Sequence, residues 1–61
     1  MANLTSKELT SLQEQLGSEQ VLIKKFKAYA NACSDQELKA KCEEVAAKHE
    51  EHYCRLLNQL N

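Results

Sequence analysis

Apolar residues recur along the chain at alternating steps of three and four, in two stretches separated by a short polar segment. This repeat is typical of the buried stripe of packed α-helices, and it predicts two amphipathic helices. Three ionisable residues interrupt the stripe, one in the first stretch and two in the second. The stripe positions are Leu9, Leu12, Leu16, Glu19, Ile23, Phe26, Ala30 and Cys33, then Leu38, Cys42, Val45, His49, His52 and Leu56.

The first helix is preceded by a start signal. Thr5 and Glu8 have the spacing of a capping box, and Leu4 and Leu9 occupy the positions of a hydrophobic staple. These signals predict helix one at about residues 6–32.

The second helix has a similar signal. The run from Ser34 to Glu37 repeats the spacing of a capping box, and Asp35 and Glu37 lie near the positive end of the new helix. It predicts helix two at about residues 35–60. Because the connection at 33–35 is so short, the two helices must lie antiparallel as a hairpin.

Composition supports one continuous helical domain over residues 1–61. The chain has no proline and one glycine, Gly17, which lies inside helix one. The stripe keeps its phase from Leu16 to Glu19 across that glycine, so we expect helix one to continue through it.

The apolar stripe of each helix is wider than a single hairpin can cover. Additional apolar residues flank it, and symmetric association of two hairpins would bury them. The expected fold is therefore all-α: an antiparallel helical hairpin that forms a homodimeric four-helix bundle. The flanking residues are Leu22, Tyr29, Ala46, Tyr53 and Leu60.

Length, charge and cysteine content exclude several classes of protein. The net charge is −1 without a basic stripe, so no nucleic-acid partner is predicted. No apolar run reaches the ~20 residues of a membrane span, and the N-terminus lacks a signal-peptide pattern, so we expect neither membrane insertion nor secretion. Three cysteines without finger spacing indicate free thiols rather than a disulfide scaffold, with Cys54 beside the stripe.

The three polar stripe residues are predicted to lie at one level of the hairpin. Glu19 precedes Ser34 by fifteen residues and His49 follows it by fifteen, with His52 less than one helical turn further on. A hydrogen bond, a mutual ion pair or a metal ion could satisfy these groups. Two histidines at i, i+3 with a facing carboxylate suit zinc, iron or manganese, so we predict one or two divalent ions per dimer. The alternative is a purely structural module in which the polar layer only sets helix register.

Much of the chain also resembles a known group of proteins. The run from Glu19 to Ala30, the segment Cys33–Asp35 and the run from Cys42 to His52 resemble the short spore coat proteins of clostridia and their relatives. Those proteins are similar to the coat protein F group of the ferritin-like superfamily. The resemblance implies half of a ferritin-like bundle, a place in the spore coat or cytoplasm, and other coat proteins as partners.

One position departs from the ferritin-like pattern, in which helix one supplies a glutamate and helix two a Glu-x-x-His motif. The resemblance matches Glu19 to the first glutamate and His52 to the motif histidine, whereas His49 stands where the motif has glutamate. Two carboxylates per dimer argue against oxygen activation and iron storage and favour zinc or a less closely coupled pair of metal ions. An oxidase or peroxide-removing activity is implied only by family analogy, and we assign no catalytic residue.

Overall fold

The computed structural model describes residues 4–60, which form two α-helices and no strand. Helix α1 spans Ser6–Ala32 and helix α2 spans Gln36–Asn58. The second helix begins one residue later and ends two residues earlier than expected from the sequence. The single-domain prediction also covers residues 1–3 and 61, which lie outside the described part of the chain.

The capping box at the start of α1 forms as predicted. The Glu8 backbone N–H donates to Thr5 Oγ1 at 3.1 Å, and the Thr5 backbone N–H donates to Glu8 Oε1 at 3.0 Å. Two N–H groups that the helix leaves unpaired at its start are thereby satisfied.

The capping box should also be visible in an acid titration. The Thr5 backbone N–H, and after it the Thr5 side chain, lower the pKa of Glu8 from its ordinary value of 4.5. Because the folded-state pKa is depressed, the stabilisation from this group is complete above the ordinary pKa and is lost as the pH falls through the folded value. Thr5→Pro removes both hydrogen-bonding groups at a residue whose φ of −71° suits proline. We expect the NMR titration midpoint of Glu8 to rise in this variant; identical midpoints in the two proteins would contradict the assignment.

The cap of α2 differs from the expected one. Asp35 is the N-cap, and its carboxylate accepts a hydrogen bond from the Leu38 backbone N–H at 3.0 Å. The third helical position is therefore Leu38 rather than Glu37, so the reciprocal box that would start at Ser34 does not form. A carboxylate at the cap also interacts favourably with the positive end of the helix.

Helix α1 continues through Gly17 without a break, as the phase of the stripe predicted. Its φ is not positive, and a Cβ added there would meet no atom within 4 Å. Gly17→Ala is therefore expected to raise the free energy of unfolding by about 0.5–1 kcal/mol. Ala28→Gly, at an exposed position of the same helix, should lower it by a similar amount. Urea denaturation at one protein concentration measures both, and a loss of stability in Gly17→Ala would be the contrary result.

The helices pack as an antiparallel hairpin with Cα extents of 46 × 15 × 10 Å. Its buried apolar residues are few and mostly small: Leu12, Ala30, Cys42 and Ala46. The three cysteines are free thiols as predicted, and Cys54 is exposed. No helix in the described range is long and apolar enough to cross a membrane.

Much of the apolar stripe remains uncovered in the hairpin. Leu38 is 55% exposed, Tyr29 is 49% exposed and Leu9 is 39% exposed. Two helices in contact cannot bury stripes of this width, so the hairpin presents apolar surface that only a further packing element could cover.

Candidate metal site

The three polar stripe residues meet near the middle of the hairpin. The Glu19 Oε1 atom lies 2.6 Å from His49 Nδ1, and Glu19 Oε2 lies 3.7 Å from His52 Nδ1. One carboxylate from α1 thus faces two imidazoles from α2. Glu19 and His49 are each fifteen residues from Ser34. Because each residue of a helix advances the chain by about 1.5 Å, the two lie at the same height on the antiparallel helices, with His52 less than one turn away.

Local helix geometry sets the directions of the two rings. His49 and His52 are three residues apart and project from one face of α2, with ring centroids 5.8 Å apart and planes at 87°. The Phe26 ring stacks on His49 with centroids 6.5 Å apart and an interplanar angle of 21°. Phe26 thus lies beside the His49 ring, and His49 Nδ1 faces Glu19.

The site is only partly shielded from solvent in a single hairpin. The side chains of Glu19 and His49 are 18% and 23% exposed, whereas that of His52 is 50% exposed. No charged side chain among residues 4–60 is fully buried. The buried polar layer expected from the sequence is therefore incomplete in the hairpin, because the His52 side chain is half exposed.

The donor set fits a divalent transition metal. One ligand atom from each of Glu19, His49 and His52 can be chosen so that all three lie within 4.8 Å of one another. Around a tetrahedral zinc with bonds of about 2.0–2.2 Å, ligand atoms are about 3.3–3.6 Å apart. An ion would therefore replace the 2.6 Å hydrogen bond by widening the distance from Glu19 to His49 and closing that from Glu19 to His52. Three protein ligands leave at least one coordination position open.

The same contacts also satisfy the polar groups without a metal. Glu19 and His49 share a hydrogen bond between Glu19 Oε1 and His49 Nδ1. The tautomer of the imidazole decides which of the two atoms is the donor. No buried polar atom of the described side chains lacks a partner. The geometry is therefore compatible with both interpretations made from the sequence.

An open groove adjoins the site and was not recognised in the sequence. Glu19 and His52 form part of its wall, and it continues toward the end of the hairpin remote from the turn. On α1, its polar lining residues are spaced by three and four along one edge of the stripe. That spacing is the sequence pattern that could have indicated the groove. The other lining residues are Ser11, Glu14, Gln15, Ser18, Arg55 and Leu56.

Other polar residues do not join the site. Tyr53 follows His52 directly, but its hydroxyl accepts a hydrogen bond from Gln20 Nε2 at 3.0 Å on another part of the surface. Lys27 pairs with Glu50 at 3.0 Å, between exposed side chains. These contacts link the two helices and contribute no ligand to the cluster.

Comparison of the chain with protein-family models, with curated proteins and with solved structures finds no match. The resemblance to spore coat proteins therefore stays a prediction, which depends on the residues quoted for it.

Proposed function

We propose that this protein is a small metal-binding helical module, in which two hairpins associate as a four-helix bundle and each binds a divalent transition metal through Glu19, His49 and His52. The observation that carries the proposal is the convergence of these three ligand types within 4.8 Å. The setting we propose is the spore coat or the cytoplasm of a spore-forming cell, following the resemblance described above. The proposal includes no catalysed reaction.

Ligand chemistry favours zinc over the other candidate ions. Two imidazoles and one carboxylate match the borderline character of Zn²⁺, whereas iron and manganese sites in helical bundles use more carboxylates. Each hairpin supplies one negative charge to the ion, so a closely coupled pair of metals would carry excess positive charge. We therefore propose separate zinc ions, one in each hairpin.

Association of two hairpins is supported by the uncovered apolar stripe. Exposed apolar side chains such as Leu38 and Tyr29 cost free energy in water, and a second hairpin with the same stripe can cover them. The half-exposed His52 would then lie in a more enclosed site.

Direct metal analysis tests the proposal. Protein purified without a histidine tag and dialysed against buffered Zn²⁺ should retain about one zinc per chain, measured by elemental mass spectrometry. The variant combining His49→Ala and His52→Ala should retain almost none. Glu19→Gln should also lose most of its zinc, whereas the matched control Glu14→Gln should retain it, because Glu14 lines the adjoining groove outside the ligand cluster. Equal, near-zero zinc in the wild-type protein and the double variant would refute the proposal.

A structural module without metal is the second candidate. The hydrogen bond between Glu19 and His49 favours it, since this bond already satisfies both groups. In that role the polar layer fixes the register of packed helices, and the module assembles with coat partners. It predicts that stability is indifferent to chelators, whereas the metal-binding proposal predicts that stability responds to zinc.

A further inference from the structure

Cross-helix polar contacts close one side of the hairpin. Gln20 Nε2 donates to Tyr53 Oη at 3.0 Å, and Lys27 Nζ lies 3.0 Å from Glu50 Oε2. Gln20 and Lys27 are seven residues apart on α1, and Tyr53 and Glu50 are three apart on α2, so the two pairs lie on the same side. We call it the bridged side.

The opposite side holds the groove, and we call it the open side. Two residues identify the open side: Ser18 of α1 and His52 of α2 both line the groove. Continuing from Ser18 toward the turn in helical steps reaches Leu22 and Tyr29 on α1. Stepping back from His52 by sevens reaches Val45 and Leu38 on α2.

Toward the turn, the open side is apolar and incompletely covered. Leu38 and Tyr29 are 55% and 49% exposed, and Leu22 and Val45 are partly exposed. None of the cross-helix hydrogen bonds or ion pairs found between residues 4 and 60 involves these four side chains. The apolar patch thus ends at His52, the most exposed ligand of the proposed site.

We infer that a second copy of the chain docks on the open side, and that zinc binding and this association strengthen each other. The inference rests on the proposed metal site. The Cα atoms of the hairpin extend over 46 × 15 Å, so one broad face of the hairpin approaches the ~800 Å² per partner that a stable interface buries. A second copy is the fitting occupant because its own open side offers the same apolar patch and the same half-exposed histidine.

The coupling follows from the position of His52. Docking on the open side removes water from the His52 ring and limits its motion, so the three ligands are held closer to the geometry that an ion requires. Zinc then binds the dimer more tightly than the single hairpin. By reciprocity, zinc must lower the dissociation constant of the dimer to a corresponding extent.

Two leucines of α2 provide a matched test of the side. Leu38 lies on the open side, and Leu57, seven residues after Glu50, lies on the bridged side at 38% exposure. We expect Leu38→Gln to raise the dimer dissociation constant at least tenfold in sedimentation equilibrium, and Leu57→Gln to change it less than threefold. Circular dichroism establishes that both variants remain helical. A larger effect of Leu57→Gln, or a wild-type protein that stays monomeric with zinc, would overturn the inference.

The same samples test the coupling. Saturating Zn²⁺ should lower the dimer dissociation constant of the wild-type protein at least tenfold, and Leu38→Gln should bind zinc at least tenfold more weakly than Leu57→Gln in calorimetry. Equal zinc affinities in the two variants would overturn the coupling while the proposed metal site stands. Absence of zinc binding to the wild-type protein would instead remove the proposed function, and with it the coupling.

Discussion

Saturating zinc is expected to raise the thermal unfolding midpoint of the wild-type protein by tens of degrees. A ligand that binds only the folded state at one thousand times its dissociation constant stabilises that state by about 4 kcal/mol. In a domain of this size, each 1 kcal/mol moves the midpoint by roughly 4–8 °C. The shift should therefore be about 15–30 °C, measured by circular dichroism at one fixed protein concentration with zinc and with chelator.

Isosteric variants separate specific ligation from general charge effects in this experiment. Glu19→Gln removes the ligand charge and should abolish most of the shift, whereas Glu14→Gln should retain it. The shift should also shrink in acid, because protons compete with the ion for the imidazoles. A shift below about 2 °C in the wild-type protein, at a free zinc concentration that saturates any binding detected by calorimetry, would favour the structural module.

The level of the candidate site could be predicted from the sequence because few degrees of freedom separate its parts. A connection at 33–35 fixes the helices as antiparallel, and equal distances from Ser34 then bring Glu19 and His49 together. The capping box of Thr5 and Glu8 was predictable for a similar reason, since its partners lie within one helical turn.

The rotation of the helices about their own axes was harder to predict. Ala46 was placed at the flank of the stripe, yet it is 2% exposed. The small side chains of Ala46 and Ala30 are both buried between the helices of the hairpin. Many weak contacts between the helices, including that of Gln20 with Tyr53, together determine which flank of each stripe faces the other helix. No local sequence pattern predicts their combined effect.

The exposure of His52 has the same origin. The stripe places His52 at the same interior level as His49, but the rotation of α2 directs it toward the groove, so its side chain is 50% exposed. The sequence therefore identified the three clustered residues and their common height, whereas the open edge of the cluster depends on the rotation of α2 seen in the structure.

Replacing the polar layer by leucine should separate the stability of the fold from the chemistry of the site. Glu19→Leu alone removes the hydrogen-bond partner of His49, whose side chain is only 23% exposed. A polar group left without a partner in such a place costs about 1–3 kcal/mol. Glu19→Leu should therefore lower the free energy of unfolding in chelator, measured by urea denaturation at one protein concentration.

The triple variant Glu19→Leu, His49→Leu and His52→Leu should reverse that loss and exceed the wild-type stability. Apolar side chains at three stripe positions remove the desolvation cost of the ionisable groups and extend the stripe, as replacement of buried ion pairs by well-packed apolar residues often stabilises by about 1–4 kcal/mol. The same variant should show no response to zinc. If instead it unfolds at lower urea than Glu19→Leu in chelator, the polar layer is required for the fold itself, and the metal would be secondary to that structural role.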